Sequence, residues 1–274
     1  MIFQGIDDCR DIMEFNFGGL VPLSTVDWRG RSSAVIFFNG CPFRCPYCHN
    51  FRNITASNPA DSDEIMKKAC ASLGFVSALI FLGGEPTMQE KALTEMAAKA
   101  KEKKMAVGIH TNGYFPETIG KLIEKGLADK FFIDVKAPLR ASAYSKTTGI
   151  PEDPEKPVNA EKAVSRIRRS LETVDESAAE LEVRTTVFRG FSGSEEEIRE
   201  IAETLKAIVK HPEKTTYVLQ QGIGRNSNDP VLQKTPAFSP EEMTELGKAA
   251  ADVLGGEIRV FIRTEENGQE EIPV

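Results

Sequence analysis

The segment AVIFFNGCPFRCPYCHN, residues 34–50, joins a run of five apolar residues to a loop that carries three of the chain's five cysteines. Apolar residues on successive positions predict a strand that is covered on both faces, as in a parallel sheet. The cysteines follow at once, as Cys41, Cys45 and Cys48. In parallel sheets the chemistry collects at the carboxyl ends of the strands. The segment therefore predicts a parallel sheet and the edge of it where a functional site should lie.

The rest of the chain repeats this alternation of strand and helix. Further strand candidates are residues 78–82, 105–110, 130–135, 181–188, 215–220 and 257–263. Helical patterns occur at residues 61–73, 89–103, 116–126 and 157–174, and two more begin after Ser194 and Ser239. A glutamate stands three residues after each of these serines, which is typical of a helix start. Repetition of this kind predicts right-handed crossovers and an α/β sheet or barrel.

The predicted fold is an open or partial (β/α)6 barrel, because six or seven units fall short of the eight that close a barrel. We expect a single domain over residues 1–274, with an irregular lead-in at 1–33 that is extended or forms a hairpin, and a barrel core at 34–221. A C-terminal extension at 222–274 adds a helix and a strand. The connection at 138–157 contains four prolines and is long enough for a lid or a binding loop.

Composition and charge argue against several classes of protein. The chain has 34 basic and 41 acidic residues, a net charge of −7, which argues against broad binding to nucleic acid or to an anionic membrane. No apolar run approaches the ~18 residues needed to span a bilayer. Asp7 and Asp8 stand where a signal peptide would be basic. We therefore expect a cytoplasmic protein, whose clustered cysteines indicate a metal or redox site and whose isolated Cys9 and Cys70 are inert.

The spacing C-x3-C-x2-C brings three thiolates together on one loop. Soft sulfur ligands select zinc or iron–sulfur clusters. A structural zinc site needs a fourth ligand, for which His49 is the nearby candidate. A four-iron cluster on three thiolates would instead keep one iron open, which is typical of a catalytic site. The spacing alone leaves both interpretations open.

Two motifs together resemble the radical S-adenosylmethionine (SAM) enzymes. They are CPFRCPYC at residues 41–48 and GGEP at residues 83–86, after the next strand. The resemblance implies a [4Fe–4S] cluster on Cys41, Cys45 and Cys48, with SAM chelated to the remaining iron by its amino and carboxylate groups. It also implies reductive cleavage of SAM to methionine and a 5′-deoxyadenosyl radical, while the protein positions the cofactor.

The same resemblance implies roles for polar residues at the other strand ends. Lys136 is expected to act in catalysis by meeting the SAM carboxylate, with the plainer alternative of an ion pair with Asp134. Asp134 itself is expected near the SAM ribose, a cation or the substrate. Tyr47 should lie against the adenine, and Glu85 near the methionyl ammonium. The remaining predicted SAM contacts are Gly83, Gly84, Thr111, Asn112, Arg184, Thr186 and Gln221.

Over about residues 18–221 the chain resembles the glycyl-radical activases, above all the activating proteins of anaerobic ribonucleoside-triphosphate reductase and, more broadly, pyruvate formate-lyase activating enzyme. The matching pieces include STVDWRG, HTNG, DVKAP, RTTV and YVLQQ. The resemblance implies that one glycine of a partner enzyme loses its Cα hydrogen. Flavodoxin or ferredoxin is the expected electron donor, because the two remaining cysteines cannot hold a second cluster. The departures are Arg29, where proline is usual, and His110, where an acidic residue that helps to form a cation site is common.

We expect the partner's glycine loop to enter between Asp27–Trp28 and the 138–157 connection. Two alternatives remain. A small-molecule radical SAM enzyme similar to 7-carboxy-7-deazaguanine synthase would share the motifs and need no protein partner. A non-catalytic zinc-binding interaction module would keep the cysteines without the radical chemistry.

Overall fold

In the computed structural model of the protein, residues 13–227 and 229–273 are described. Within these ranges, one sheet of ten strands is connected by eight α-helices, none long and apolar enough to cross a membrane. The strands are β1 (Glu14–Ser24), β2 (Ser33–Phe38), β3 (Pro59–Asp61), β4 (Ala78–Gly83), β5 (Ala106–Thr111), β6 (Lys130–Asp134), β7 (Glu180–Val187), β8 (Thr215–Gln221), β9 (Arg259–Thr264) and β10 (Gly268–Ile272). The helices are α1 (Phe51–Ile54), α2 (Ser62–Ala69), α3 (Glu90–Glu102), α4 (Pro116–Glu124), α5 (Ala141–Thr148), α6 (Ala160–Asp175), α7 (Glu195–Ile208) and α8 (Pro240–Leu254).

The sheet has the strand order β10-β9-β8-β7-β6-β5-β4-β2-β1-β3. Strand β2 and strands β4 to β9 pair in parallel, while β1 and β10 pair antiparallel with β2 and β9. The order is linear, so the described strands form an open sheet with β10 and β3 at its edges. The prediction of an open α/β barrel is confirmed.

The helices cover one face of the sheet, and the alternation of side chains explains the apolar runs of the sequence. In β2, Ile36 and Phe38 pack with helix residues in the main core. Val35 points to the opposite side, which we call the inner face, where it belongs to a second apolar cluster with Trp28 and Phe132. Both faces of the central strands are buried, which is why successive residues are apolar.

The lead-in, which the sequence suggests is extended or a hairpin, contains a strand in the part of it that the structure describes. Glu14–Ser24 form β1, whose two register shifts against β2 break the alternation by which a strand is recognised. The chain then turns across the inner face, where the Trp28 ring meets Phe132 edge-on, with 5.8 Å between centroids. A Cβ on Gly108 would come within 2.9 Å of the Trp28 ring, so the tryptophan needs glycine beneath it.

The 138–157 connection is also less irregular than predicted. It contains α5, and the end of this helix packs on the cysteine loop. The Arg44 amide donates to the Thr148 carbonyl at 2.8 Å. Gly149 ends the helix with φ of +67°, and a Cβ there would lie 2.7 Å from the Arg44 carbonyl oxygen. The first part of the connection therefore supports the cysteine loop, and residues 151–157 are its exposed stretch.

Beyond residue 221 the chain continues the sheet. Helix α8 leads to β9, which pairs in parallel with β8 as the predicted extra helix and strand. Strand β10, which turns back on β9, was not predicted. The predicted helix starts are confirmed, because the hydroxyls of Ser194 and Ser239 accept from the amides of Glu197 at 3.2 Å and Glu242 at 3.3 Å.

Replacement of Trp28 by alanine should destabilise the fold by about 3–5 kcal/mol, because a cavity would open between the lead-in and the inner face. Urea denaturation followed by circular dichroism measures this loss. Val26→Ala is the control: Val26 lies in the same loop but is 74% exposed, so its loss should cost less than about 0.5 kcal/mol. Equal stability of the two variants would show that Trp28 does not anchor the lead-in.

Candidate active site

Four loops that carry residues predicted for the site lie side by side at the carboxyl ends of the parallel strands. The cysteine loop follows β2, Gly84–Glu85 follow β4, Asn112 follows β5, and Lys136 lies just beyond β6. Strands β2, β4, β5 and β6 are successive parallel neighbours in the sheet. The predicted convergence at the carboxyl ends of these strands is therefore present in the structure.

Two glycines allow the end of β4 to dock on the cysteine loop. The Gly84 amide donates to the Phe38 carbonyl and the Glu85 amide to the Gly40 carbonyl, both at 2.7 Å. Gly83 has φ of +122°, which favours glycine. A Cβ on Gly84 would lie 2.1 Å from the Gly40 carbonyl oxygen. This backbone contact is therefore possible only without a side chain at Gly84.

Glu85 is fully buried and organises the end of the next strand. Its carboxylate accepts hydrogen bonds from the Thr111 hydroxyl and the Asn112 amide, both at 2.7 Å, and from the amide and hydroxyl of Thr87. Desolvation raises the pKa of Glu85, and these hydrogen bonds oppose the rise. Glu85 is thus engaged within the protein, and its contact with the methionyl ammonium stays a prediction.

The three cysteines of the loop are half-buried free thiols. Burial, followed by the charge of Glu85, raises the pKa of Cys41 to about 12. Burial also raises the pKa of Cys45, to about 11. The Asn112 side chain donates to the Cys41 sulfur at 3.7 Å, which links the loop to the end of β5. Since metal ligands must be deprotonated, the loop needs nearby positive charge to hold thiolates.

Lys136 supplies such a charge. Its ammonium donates to a carboxylate oxygen of Asp134 at 2.8 Å, so the ion pair considered from the sequence is present. Desolvation lowers the pKa of Lys136, but Asp134, Cys45 and Tyr47 together raise it well above its ordinary value. The Lys136 amide donates to the Tyr144 hydroxyl on α5 at 3.1 Å, which fixes the position of the residue. A permanent cation is therefore held beside the cysteine loop.

Tyr47 lies inside a small aromatic cluster. Its ring stacks on Phe188 with 5.5 Å between centroids and meets Phe191 edge-on at 5.7 Å. Leu232, from the C-terminal extension, packs in the same cluster. The Tyr47 hydroxyl is buried and has no hydrogen-bond partner among the residues described. Its contact with adenine stays a prediction.

Arg184 belongs to a polar chain on the inner face. It donates to Glu182 at 2.7 Å, lies 4.4 Å from the centroid of Phe132, and has a guanidinium nitrogen 3.1 Å from Nδ1 of His110. The other ring nitrogen of His110 is 3.2 Å from the Asp27 carbonyl oxygen. Burial, followed by the charge of Arg184, holds the pKa of His110 well below its usual range. The neutral ring therefore accepts from Arg184 through Nδ1 and donates to Asp27 through Nε2.

Thr186 and Gln221 lie near the ends of β7 and β8. Thr186 shares the face of Arg184 because side chains of a strand alternate. The Gln221 side chain donates to the Phe238 carbonyl at 2.7 Å and accepts from the Glu265 amide at 2.8 Å. It is engaged with the C-terminal extension, and the SAM contacts of both residues stay predictions.

Sequence reasoning missed a set of amides that attaches β1 to the cysteine loop. The Asn16 amide donates to the Gln89 side chain at 2.7 Å, and the Gln89 side chain donates to the Asn39 carbonyl at 2.9 Å. The Asn39 side chain donates to the carbonyl of Phe17, in β1, at 2.8 Å. Gln89 is the seventh residue of the GGEPTMQ motif, which was the available signal. Asn16 offered none, because its strand was not recognised.

A model of the Radical SAM superfamily matches residues 35–205, more than half of the chain. The chain belongs to the radical SAM superfamily. This enzyme family uses a [4Fe–4S] cluster and SAM, so the prediction of both cofactors is confirmed. The membership contradicts the alternative of a non-catalytic zinc-binding module.

Two relatives narrow the family to the glycyl-radical enzyme activases. MJ1227 of Methanocaldococcus jannaschii, whose name places it among glycyl-radical enzyme activating enzymes, is 36% identical over 246 residues, 90% of this chain and 95% of the relative. Pyruvate formate-lyase-activating enzyme of Clostridium pasteurianum is 23% identical over 231 residues, 80% of this chain and 90% of the relative. The radical SAM enzyme described here is thus a member of the activase family.

A solved structure supports the fold. The crystal structure of a radical SAM methyltransferase from Sphaerobacter thermophilus matches this radical SAM enzyme with a TM-score of 0.62 at 16% identity. The match covers 86% of this chain and 67% of the methyltransferase chain.

The donor atoms of the loop fit the chemistry of an iron–sulfur cluster. Three free thiols on one loop form the soft donor set that iron–sulfur clusters require. Cys70 is a free thiol at the end of α2, apart from this loop, and Cys9 lies outside the described residues.

The substitution Gly84→Ala should prevent the loop from holding its cluster, because the new methyl group would collide with the Gly40 carbonyl, next to Cys41. We expect severalfold less iron and sulfide per chain after anaerobic reconstitution. Gly120→Ala is the matched control, since its Cβ would have its nearest neighbour atom at 4.0 Å. Circular dichroism separates a local displacement from unfolding. Full iron content in a folded Gly84→Ala protein would show that the contact of Gly84 with Gly40 does not position the loop that holds the cluster.

Acid should destabilise the protein through His110. A histidine with a depressed folded pKa stabilises the fold above its unfolded pKa of about 6.5, and this contribution is lost as the pH falls. From about pH 7.5 to pH 5.5, the free energy of unfolding should fall more in the wild type than in His110→Gln, by at most about 1.4 kcal/mol. Urea denaturation at both pH values measures the difference. Identical losses in the two proteins would show that His110 is not buried in its neutral form.

Proposed function

We propose that this radical SAM enzyme generates a glycyl radical on an anaerobic ribonucleotide reductase. The proposal depends on one observation. Three free thiols, the backbone contact at Gly84 and the buried ammonium of Lys136 lie together at the carboxyl ends of the parallel strands. Membership of the activase family supports the reaction. The choice of partner is supported by the sequence motifs that extend from the lead-in to β8.

We assign Cys41, Cys45 and Cys48 as the residues that hold the cluster. When bound, the cluster and SAM supply the reductive cleavage of the sulfonium and the hydrogen abstraction that follows from it. Lys136 binds the SAM carboxylate, because its pKa keeps it charged and Asp134 holds its position. Asp134, the last residue of β6, would face the ribose.

The other residues of the site position the backbone or exclude water. The buried Glu85 holds Thr111 and Asn112 in place, so that their polar groups can face SAM. The apolar rings of Tyr47, Phe188 and Phe191 would exclude water beside the cysteine loop. We keep Gly83 and Gly84 as the stretch of backbone that would meet the ammonium of SAM. The remaining SAM contacts in this proposal are Arg184, Thr186 and Gln221.

The partner must present its glycine on a flexible loop, because the Cα hydrogen of that glycine has to reach a site at the carboxyl ends of the strands. We place its access between Asp27 and the exposed residues 151–157. Deletion of the whole 138–157 connection would not test this path, since α5 supports the cysteine loop through Arg44. Substitutions confined to residues 151–157 are the appropriate probe. The cytoplasm, where the electron donor and the partner are available, is the proposed location.

The test is anaerobic reconstitution followed by two measurements on the same sample. SAM cleavage is measured as release of 5′-deoxyadenosine, and activation as a glycyl radical signal in electron paramagnetic resonance. We expect the signal only when an anaerobic ribonucleotide reductase is added, and we expect neither readout in Cys45→Ala. Cleavage without a signal on this reductase, together with a signal on another glycyl-radical enzyme, would reject the partner. Cleavage stimulated only by a small molecule would reject the activase function.

A further inference from the structure

A cluster of charged side chains lies on the inner face of the sheet. The carboxylate of Glu182 is shared by three cations, those of Lys130 on β6, Arg184 on β7 and Arg263 on β9. The oxygen–nitrogen distances are 3.0 Å to Lys130, 2.7 Å to Arg184 and 3.6 Å to Arg263. Lys130 also lies 3.5 Å from Glu180, whose side chain is 60% exposed. Three largely buried cations therefore share one buried carboxylate.

Arg263 has the least compensated charge of the three. Its guanidinium donates to the side-chain oxygens of Gln269 at 2.7 Å and Gln220 at 3.5 Å, whereas the Glu182 carboxylate is beyond hydrogen-bonding distance. Burial, followed by the charge of Arg184, lowers the pKa of Arg263 to about 10, so the group is still charged at neutral pH. The two neutral oxygens fix the position of this guanidinium without cancelling its charge.

The lead-in does not cancel this charge either. Asp27 and Arg29 act on Arg263 with opposite signs, because the carboxylate raises its pKa and the guanidinium lowers it. The Arg29 side chain reaches this region and donates to the Gln269 carbonyl on β10 at 3.1 Å. A buried charge without a counter-charge destabilises a protein. The cluster therefore retains positive charge that an anion could compensate.

Arg263 lies in a row of polar side chains that crosses the inner face. In the register of the sheet, Arg263 is opposite Gln269 on β10 and opposite Gln220 on β8. Gln220 is in turn opposite Thr186 on β7. All four side chains are half-buried, so the row is accessible from the inner side of the sheet.

The same row leads to Lys136 of the candidate active site. Asp134 on β6 is opposite Arg184. The Val135 amide donates to the Arg184 carbonyl at 2.8 Å, which continues the pairing past the end of β6. Lys136 therefore falls opposite Thr186, two residues farther along each strand.

The width of this row limits what can occupy it. Strands β6 and β9 are three spacings apart, which is at most about 14 Å between Lys136 and Arg263. An extended peptide spans this distance with about four residues. The separation therefore favours a polypeptide over a small heterocyclic substrate. Strand β9 also lies beyond residues 35–205, which match the superfamily model, so a role there concerns the substrate rather than the shared chemistry.

We propose that Arg263 binds a carboxylate of the partner enzyme and thereby aligns the partner's glycine with the site. The proposal rests on the proposed function, in which the substrate is a protein. A guanidinium forms two parallel hydrogen bonds with a carboxylate, and the carboxylate is the anionic group that protein side chains carry. Gln220 lies between the two ends of the row and offers hydrogen bonds to the backbone of the bound segment. Arg263 takes no part in SAM cleavage and determines specificity.

The test compares three variants of the reconstituted enzyme. Arg263→Gln removes the charge, and Arg263→Lys keeps it. Arg259→Gln is the matched control, because Arg259 is an exposed arginine of the same strand that is paired with Glu271 at 2.7 Å. An anaerobic ribonucleotide reductase is the partner, with dithionite as the reductant. Glycyl radical formation gives kcat and the KM for the reductase, and release of 5′-deoxyadenosine without the reductase gives the KM for SAM.

We expect Arg263→Gln to raise the KM for the reductase about tenfold, with kcat and the KM for SAM within about twofold of the wild type. Arg263→Lys should recover most of the loss, and Arg259→Gln should behave as the wild type. The free energy of unfolding of Arg263→Gln should be no lower than that of the wild type, because Glu182 keeps its two nearer cations. Urea denaturation measures this last quantity.

Acetate tests the chemical class of the bound group. In the wild type, sodium acetate should inhibit activation in competition with the reductase, and more strongly than sodium chloride at equal ionic strength. In Arg263→Gln the two salts should act alike. Equal inhibition by both salts in the wild type would contradict the recognition of a carboxylate at Arg263.

Two further results would overturn the proposal. An unchanged KM for the reductase in Arg263→Gln would show that Arg263 does not contact the partner. A raised KM for SAM in this variant would assign Arg263 to the carboxylate of SAM. Release of 5′-deoxyadenosine by the wild type without any glycyl radical on the reductase would instead contradict the proposed function, so the two failures are distinguishable.

Discussion

The backbone contact between the ends of β2 and β4 is the constraint on which the site depends. Gly84 lies so close to the Gly40 carbonyl that no side chain can be present there, and the amides of Gly84 and Glu85 donate into the cysteine loop. The cysteines therefore do not form an independent loop. Their position is set by the neighbouring strand, which also carries Glu85 into the interior. Any residue that separated the two strand ends would displace the thiols and the buried carboxylate together.

The charges of the site are organised by burial. Glu85 is satisfied by hydroxyl and amide donors of Thr87, Thr111 and Asn112, as buried charges must be. Lys136 has a single carboxylate partner and lies among groups whose ionised forms are negative. This difference separates the two residues: the carboxyl group of Glu85 is satisfied by several donors within the protein, whereas the ammonium of Lys136 has one carboxylate partner.

The fold was predictable where local pattern and tertiary position agree. The central strands are buried on both faces, so their apolar runs and the helices between them are visible in the sequence. The bounds of β1 in the lead-in were not predicted, because its bulges interrupt the alternation of side chains. Helix α5 was hidden among prolines and polar residues, and its stability comes from packing against the cysteine loop through Thr148 and Gly149. Strand β10, with three exposed residues in five, carries too little apolar signal.

The sequence by itself determined the chemistry of this protein. The cysteine spacing, the glycine pair and the D-x-K element are local, and they lie at strand ends wherever the strands are parallel. Only the tertiary structure decided the partners of the polar residues. Arg184 bonds to Glu182 and His110 on the inner face, and Gln221 is engaged with the C-terminal extension. These contacts join residues far apart in the chain, and the direction of a long polar side chain depends on the groups that surround it after folding.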